Sequence, residues 1–205
     1  GYRVMAMPMQ ECFETLVARW TDQVVVTSAG NASEMWWRLT SETERVFYLE
    51  ASMSMASLFA AGIARGIPAA SVWAFTGDGA FLMNPGMLMV ERRMALPNLT
   101  HFLVANGCYG ATYEIEMADQ GETDYAGLAR ASGLQNVYTF NSVADLNSGL
   151  DEVMRSNGES FVVLEVEPAG EILPDPPMDG PECKFRFGRY LERTYGVRIF
   201  DNQLV

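Results

Sequence analysis

The stretch that decides the fold runs from residue 71 to residue 80 and reads Ser-Val-Trp-Ala-Phe-Thr-Gly-Asp-Gly-Ala. Its first six residues predict a buried β-strand, because they are largely apolar, aromatic or β-branched and carry no charge. The strand ends in two glycines that flank Asp78, and glycine lets a backbone approach a bulky ligand closely. Ligands of open parallel sheets bind beyond the carboxyl ends of the strands. This strand end is therefore the first candidate site.

A second polar strand end follows one crossover later along the chain. Asn106 follows Gly79 after 26 intervening residues, directly behind the predicted strand 100–105, and opens the run Asn-Gly-Cys-Tyr-Gly. Because the carboxyl ends of parallel strands share one edge of the sheet, we expect Asp78 and Asn106 to lie close together. A carboxylate, an amide oxygen and one backbone carbonyl, together with a diphosphate, suit Mg²⁺. The helix that follows Asp78 can also turn its N–H groups toward phosphate.

The rest of the chain alternates strands with helices. Predicted strands lie at 23–27, 46–49, 71–76, 100–105, 137–140 and 161–166. Predicted helices lie at 9–20, from 34 onward with Ser33 as the cap, and at 55–64, 86–94, 125–132 and 143–155. This rhythm predicts an α/β fold with three α/β/α layers and a mainly parallel sheet covered on both faces.

The last part of the chain differs in composition. Residues 1–170 are predicted to form one domain, whereas 171–205 begin with a proline-rich segment and continue into an amphipathic helix near 185–195. The apolar side chains of this helix have two interpretations. Either they cover the apolar surface of the domain itself, or they dock on a partner subunit or close over the pocket.

Composition excludes several classes of protein. With 26 acidic against 14 basic residues the net charge is −12, so neither nucleic acid nor an anionic membrane is an expected partner. A hydrophobic content of 49% excludes a disordered chain. The chain has 3 cysteines without a CxxC pair and 1 histidine, which excludes a disulfide framework and a cysteine- or histidine-rich metal site. No secretory signal is recognisable, and a cytoplasmic protein is expected.

The polar strand ends resemble the thiamine diphosphate motif, in which Gly-Asp-Gly is followed after 25–30 residues by Asn. Gly-Asp-Gly alone also occurs in hairpin turns, so the spacing and the following Tyr-Gly strengthen the match. Segments 30–34, 49–57, 77–86 and 106–112 are similar to sulfopyruvate and phosphonopyruvate decarboxylases. The resemblance covers roughly 10–167. It implies the thiamine diphosphate-binding fold of the diphosphate-binding (PP) domain.

The resemblance also implies roles for individual residues. Asp78, Asn106 and the backbone carbonyl of Cys108 match the Mg²⁺ ligands. Met53 matches the apolar residue that supports the V conformation of the cofactor, although a gap-filling core methionine is the alternative. The carbonyl of Ala51 would hold the 4′-amino group. The implied cofactor-binding set is Ala51, Ser52, Met53, Gly77, Asp78, Gly79, Ala80, Asn106, Cys108, Tyr109 and Gly110. Ala51 and Ser54 stand where the family usually has glycine.

Such enzymes need a second, pyrimidine-binding (PYR) domain that supplies a catalytic glutamate. No second α/β domain is predicted in 205 residues, and Glu50, Glu91 and Glu114 are interpreted as solvated or structural. The resemblance therefore implies the β subunit of a split 2-keto acid decarboxylase, with the glutamate on a PYR-domain partner in an α₂β₂ assembly.

Other functions stay open at this point. The same fold serves carboligases, and a degenerate PP domain could bind a cofactor or partner without turnover. The β subunit of 2-keto acid:ferredoxin oxidoreductases is disfavoured by the three scattered cysteines. The α subunit of dehydrogenase-complex E1 enzymes is longer and its motif has different surroundings. The residues do not identify the substrate beyond a small 2-keto acid.

Overall fold

The structure, a computed structural model, describes residues 6–118 and 122–200. The helices are α1 (Met9–Arg19), α2 (Asn31–Thr40), α3 (Ala56–Gly66), α4 (Asp78–Met83), α5 (Met87–Met94), α6 (Tyr125–Ala131), α7 (Val143–Arg155) and α8 (Gly180–Tyr195). The strands are β1 (Val24–Ser28), β2 (Val46–Leu49), β3 (Val72–Gly77), β4 (Leu99–Ala105), β5 (Cys108–Tyr109), β6 (Ile115–Glu116), β7 (Asn136–Phe140) and β8 (Ser160–Glu165). Single-turn 3₁₀ helices span Met53–Met55 and Gly110–Thr112.

Six strands form one sheet in the order β2-β1-β3-β4-β8-β7, and all of its neighbouring strands run parallel. Helices α1, α2 and α7 pack on one face, while α3, α5, α6 and α8 pack on the other. The predicted three-layer fold is confirmed, and all six predicted strands lie within one residue of their expected bounds. The central strands read as continuous apolar runs because both of their faces are covered.

The centre of the fold places two strand ends side by side. β3 and β4 are neighbours, with Phe75 opposite Phe102 and Gly77 opposite Val104. The crossover between them contains two helices, α4 and α5, where one helix at 86–94 was predicted. Pro85 lies between the two helices and explains the break, because proline cannot continue a hydrogen-bonded helix.

The prediction that Ser33 caps a helix is wrong. Helix α2 begins at Asn31, and Gly30 stands at its N-cap with a φ of +99°. Glycine adopts this left-handed backbone without steric cost, so the chain turns into the helix before Ser33 is reached. The Ser33 hydroxyl instead hydrogen-bonds the Thr27 hydroxyl at 3.0 Å and donates to the Glu50 carboxylate.

Helix α8 begins at Gly180, earlier than the predicted position near 185. Its Phe187 and Leu191 are buried against the core beneath α3 and β2. Phe185, on the outer side, stays half exposed and contacts Phe200 at a ring separation of 4.9 Å. Within the two described ranges, no helix has the length and apolar character that a membrane crossing requires.

Candidate functional site

A narrow cleft opens at the carboxyl edge of the sheet, where β1, β3 and β4 end. The residues that line it are Ala29, Gly30, Asn31, Ala32, Met53, Gly77, Asp78, Gly79, Ala80, Val104, Asn106, Cys108, Tyr109, Gly110 and Ala111. Nine of the eleven residues predicted for cofactor binding are therefore brought together in one place. The two that are not, Ala51 and Ser52, lie exposed on the turn before Met53.

Asp78 ties the two strand ends together. Its Oδ1 accepts a hydrogen bond from the N–H of Gly79 at 2.8 Å, and its Oδ2 accepts one from the N–H of Gly107 at 2.7 Å. The carboxyl group is 1% exposed although it lines the cleft. A carboxylate oxygen carries two lone pairs, so it can accept a hydrogen bond and also serve as a metal ligand. Among the residues lining the cleft, Asp78 alone carries a carboxylate.

Asn106 and Cys108 occupy the loop on the β4 side of the cleft. The N–H of Cys108 donates to Oδ1 of Asn106 at 3.2 Å, which curls the loop around the buried amide. Gly107 between them has a φ of +72°, a conformation that glycine adopts readily. The curl brings an amide oxygen and the backbone of Cys108 to the same edge as Asp78.

Two glycines are required by close packing around the cleft. A Cβ on Gly79 would come within 2.5 Å of the Tyr109 ring. A Cβ on Gly110 would overlap the side chain of Asn31 and lie 2.9 Å from its backbone nitrogen. The loop after β1 and the loop after β4 are therefore in direct contact across the cleft.

Met53 is the cleft residue contributed by the turn after β2. Its carbonyl accepts a hydrogen bond from the Ser28 hydroxyl at 2.6 Å, which fastens the 3₁₀ turn to the end of β1. The side chain is partly buried and lines the cleft. This position is distinct from the three main core clusters, which do not include Met53.

The loop after β1 was not among the predicted site residues, although Ala29, Gly30, Asn31 and Ala32 line the cleft. The available signal was a glycine two residues after a buried strand, similar to the glycine that follows the predicted strand at Gly77. Asn31 is held in place from two sides, because its Nδ2 donates to Glu114 and its side chain packs on Gly110.

An acidic rim lies beside the loop after β1, where Glu114 accepts a hydrogen bond from Asn31 and Glu50 accepts one from Ser33. Burial, assisted by the charges of its acidic neighbours, raises the pKa of Glu34 to about 7. Burial also raises the pKa of Glu50, against the hydrogen bond from Ser33. The neighbours that act on Glu34 are Asp175, Glu50 and Glu114. A phosphate group bound near this acidic rim would be repelled unless a cation accompanied it.

The donor set fits a hard cation with few protein ligands. Within 6–118 and 122–200, no cluster of three or more His, Cys, Asp or Glu could hold a metal ion. A cation in the cleft would therefore use the Asp78 carboxylate, the Asn106 amide oxygen and a backbone carbonyl, with phosphate and water oxygens completing its shell. This is the kind of coordination that Mg²⁺ prefers.

The chain matches a protein family over the part that contains the cleft. Residues 28–166 match the family described as "Thiamine pyrophosphate enzyme, C-terminal TPP binding domain". The match begins at the end of β1 and ends just after β8, so it includes every residue that lines the cleft.

Curated relatives fall into two groups by length. The chain is 29% identical over 178 residues to a sulfopyruvate decarboxylase of Methanosarcina acetivorans, with 87% of this chain and 46% of that protein covered. It is 27% identical over 171 residues to a phosphonopyruvate decarboxylase of Streptomyces viridochromogenes, with 83% and 42% covered. The chain thus spans less than half the length of these two relatives. A sulfopyruvate decarboxylase subunit beta of Methanothermobacter thermautotrophicus is 29% identical over 184 residues, with 89% and 95% covered.

A solved structure shares the fold. A protein of Mycobacterium smegmatis, described as a thiamin diphosphate-dependent enzyme, superimposes with a TM-score of 0.67 at 20% identity. The superposition covers 79% of this chain and 32% of that one. At this identity the likeness supports a common architecture.

Proposed function

The chain belongs to the thiamine pyrophosphate enzyme family, as its C-terminal TPP binding domain, and from this premise we propose a function. We propose that it is the diphosphate-binding subunit of a split thiamine diphosphate-dependent 2-keto acid decarboxylase. The observation that carries the proposal is the pair of hydrogen bonds through which the Asp78 carboxylate joins the ends of β3 and β4. These bonds hold a carboxylate oxygen, a possible metal ligand, at the carboxyl edge of the sheet, where Asn106 and Cys108 also lie.

Three groups would hold Mg²⁺ in this proposal: the Asp78 carboxylate, the Asn106 amide oxygen and the carbonyl of Cys108. The backbone of Gly77, Gly79 and Ala80 would border the diphosphate, and the absence of a Cβ at Gly79 keeps the Tyr109 ring close. The bound cofactor supplies the electron sink that decarboxylation of a 2-keto acid requires. The acidic rim favours a diphosphate that arrives with its cation.

The turn after β2 would orient the other end of the cofactor. Met53 lies in the cleft, and its backbone is held in place by the hydrogen bond that its carbonyl accepts from the Ser28 hydroxyl. We propose that it supports the bent conformation of the cofactor. Ala51 and Ser52 would contribute backbone contacts from the exposed turn, and a substrate or partner that covers this turn would bury them.

A partner chain with a PYR domain would complete the site and supply the catalytic glutamate. Exposed apolar side chains stand on the same short elements as the cleft residues, on the 3₁₀ turn, α4 and the β5–β6 hairpin: Met55, Met83, Tyr113 and Ile115. We call this set the apolar rim. The beta subunit from Methanothermobacter, matched over 95% of its length, further supports a separate partner. An α₂β₂ assembly and a cytoplasmic location are part of the same proposal.

The apolar rim gives a direct test of the partner. Tyr113→Asp should weaken association with the PYR-domain subunit at least about 30-fold, because an exposed aromatic side chain that becomes buried in an interface typically contributes about 2 kcal/mol or more. The association constant is measured by titrating the labelled partner with this chain.

The matched control is Met154→Asp. Met154 lies near the carboxyl end of α7, at the edge of the sheet opposite the cleft. This side chain is also partly exposed, at 37%, and its substitution should leave the association unchanged. Equal effects of the two substitutions, or no effect of either, would contradict docking through the apolar rim.

A further inference from the structure

Beneath the cleft, four buried polar side chains form a connected chain that the proposed reaction does not use. It consists of Thr76 on β3, His101 on β4, Glu91 on α5 and Glu159 just before β8, and each is at most 5% exposed. Nε2 of His101 hydrogen-bonds the Thr76 hydroxyl at 2.6 Å, and Nδ1 of His101 faces Oε2 of Glu91 at 3.1 Å. None of the four lines the cleft.

At the Glu159 end of this hydrogen-bonded network, the carboxyl oxygens have no hydrogen-bond donor. Oε1 of Glu91 and both oxygens of Glu159 are buried without a hydrogen-bond partner of good geometry. Two facing carboxyl groups can hydrogen-bond only when one of them is protonated. Burial and the adjacent Glu91 charge raise the pKa of Glu159 to about 10, while the backbone N–H of Leu96 offsets the rise only in part.

Glu91 is the member that stays ionised. Burial opposes its charge, but His101 and the hydrogen bond from Glu159 outweigh burial and lower the pKa of Glu91. A proton retained on Glu159 would supply the donor that these carboxyl oxygens lack. With that proton directed at Glu91, the network would be continuous from Glu159 through Glu91 and His101 to Thr76.

The near end of the chain lies directly behind Asp78. Thr76 is the penultimate residue of β3, Gly77 is the last, and Asp78 begins α4 directly after it. The Thr76–His101 hydrogen bond links β3 to β4 on the inside, and the Asp78–Gly107 hydrogen bond links the same two strands at the cleft. The position of the Asp78 carboxylate thus depends on a strand end that is fixed from behind.

We infer that the chain Glu159–Glu91–His101–Thr76 is a positioning device that fixes the end of β3 and thereby aims the Asp78 carboxylate into the cleft. Its members are positioning residues, since none of them reaches the cleft. Buried charged groups are often replaceable by apolar ones without loss of stability, so stability alone gives no reason for such a chain. The inference rests on the proposed function only in that Asp78 is a proposed metal ligand.

The first test removes one link and measures Asp78 directly. Thr76→Val keeps the shape of the side chain and deletes its hydroxyl. Amide hydrogen exchange at Gly79 and Gly107, whose N–H groups donate to Asp78, should accelerate at least about tenfold, while amides in α7 keep their rates. The matched control is Ser160→Ala, which deletes another buried hydroxyl, hydrogen-bonded to Ser156, at the other end of the sheet. Unchanged exchange at both glycines, or equal acceleration by the control, would overturn the inference.

The second test asks whether the acid proton matters. Glu159→Gln keeps a donor toward Glu91 and should leave exchange at Gly79 and Gly107 as in the wild type. Glu159→Leu removes the donor and should accelerate both. If the two variants behave alike, the proton-sharing link is wrong.

A pH profile separates this link from ordinary packing. The folded chain retains the Glu159 proton, whereas the unfolded chain releases it above its ordinary pKa of 4.5, so rising pH favours unfolding between 4.5 and about 10. Glu159→Gln lacks this dependence. Its melting temperature relative to the wild type should therefore rise with pH from 6 to 9, by up to about 3 °C per pH unit. The titratable groups on the elements packed against Glu159 are Glu91 from α5 and, beyond it, His101 from β4. A pH-independent difference would contradict the shared proton.

Two further readouts keep the inference distinct from the proposed function. His101 is the only histidine in the sequence, so ¹⁵N spectra of the untagged protein report its Nδ1 proton without assignment. Absence of that proton would contradict the hydrogen bond from His101 to Glu91, and with it the inferred network. In the assembled complex, Thr76→Val should also weaken Mg²⁺-dependent cofactor binding about tenfold. Failure of the wild type to bind cofactor would refute the proposed function, while the exchange experiments would still decide the positioning device.

Discussion

Asp78→Ala should abolish Mg²⁺-dependent binding of thiamine diphosphate while the chain stays folded. The substitution removes the only carboxylate among the residues that line the cleft. Without it, the cation would have only neutral oxygen ligands, and the diphosphate would face the acidic rim with less compensation. We expect the dissociation constant to rise at least about 100-fold, measured by calorimetry with and without Mg²⁺ on the complex with its PYR-domain partner.

The control must separate metal binding from the loss of backbone hydrogen bonds, because Asp78 also accepts two of them. Asp124→Ala serves this purpose, since Asp124 caps α6 by accepting a hydrogen bond from Gly127 at 2.7 Å and lies outside the cleft. Its loss should lower stability by about 1 kcal/mol and leave cofactor binding intact. If Asp78→Ala does not fold, Asp78→Asn tests the same point with the size of the side chain preserved. Full cofactor affinity in either folded Asp78 variant would refute the metal site.

Gly110→Ala should destabilise the chain by about 3 kcal/mol, because the added methyl group has no space. It would overlap the Asn31 side chain and press on the Asn31 backbone nitrogen at 2.9 Å. The backbone of Gly110 cannot easily retreat, because β5 just before it is paired with β6. The midpoint of urea unfolding should fall, and the melting temperature should drop by roughly 6–12 °C.

Gly62→Ala is the matched control in α3. Nothing lies within 4 Å of a Cβ at Gly62, and the residue is in a helix with ordinary backbone angles. Alanine there should stabilise the chain by about 0.5–1 kcal/mol, since it reduces the freedom of the unfolded state. Gly110→Ala with wild-type stability would contradict the close contact between the two loops of the cleft.

The main sheet was predictable because its signal is local and repeated. Each strand is a short apolar run bounded by polar or glycine residues, and parallel strands buried on both faces have this composition. The expectation that Asp78 and Asn106 lie close together followed from the same reasoning, since one crossover separates the two neighbouring strands that precede them. Burial of β3 and β4 at the centre of the sheet agrees with that expectation.

Other features depend on contacts that the sequence does not display. Ser33 has the residue type of a helix cap, but the left-handed backbone of Gly30 starts the helix earlier. Glu91 and Glu159 are 68 residues apart, so no local pattern reveals that they share a buried site. Glu91 was interpreted as solvated or structural, and its complete burial supports only the structural role.

The structure also shows where some of the acidic residues behind the net charge of −12 lie. Part of this charge lies in the acidic rim beside the loop after β1, where burial and, after it, the charges of acidic neighbours raise the pKa of Glu34 to about 7. Such a rim disfavours a bare polyanion and favours one neutralised by a divalent cation. The composition alone excluded nucleic acid as a partner. The placement of the charges supports the proposal of a diphosphate ligand that binds together with a metal ion.

The proposed function is tested by the release of CO₂ from a panel of 2-keto acids with anionic and apolar side groups. It is measured with Mg²⁺ and thiamine diphosphate for this chain alone, for the PYR-domain subunit alone and for their mixture. We predict CO₂ only from the mixture, lost on chelation of Mg²⁺ and absent with Asp78→Ala, with aldehyde or acyloin products distinguishing decarboxylation from carboligation. Turnover by this chain alone, or a mixture that binds the cofactor and releases no CO₂ from any 2-keto acid, would contradict the account.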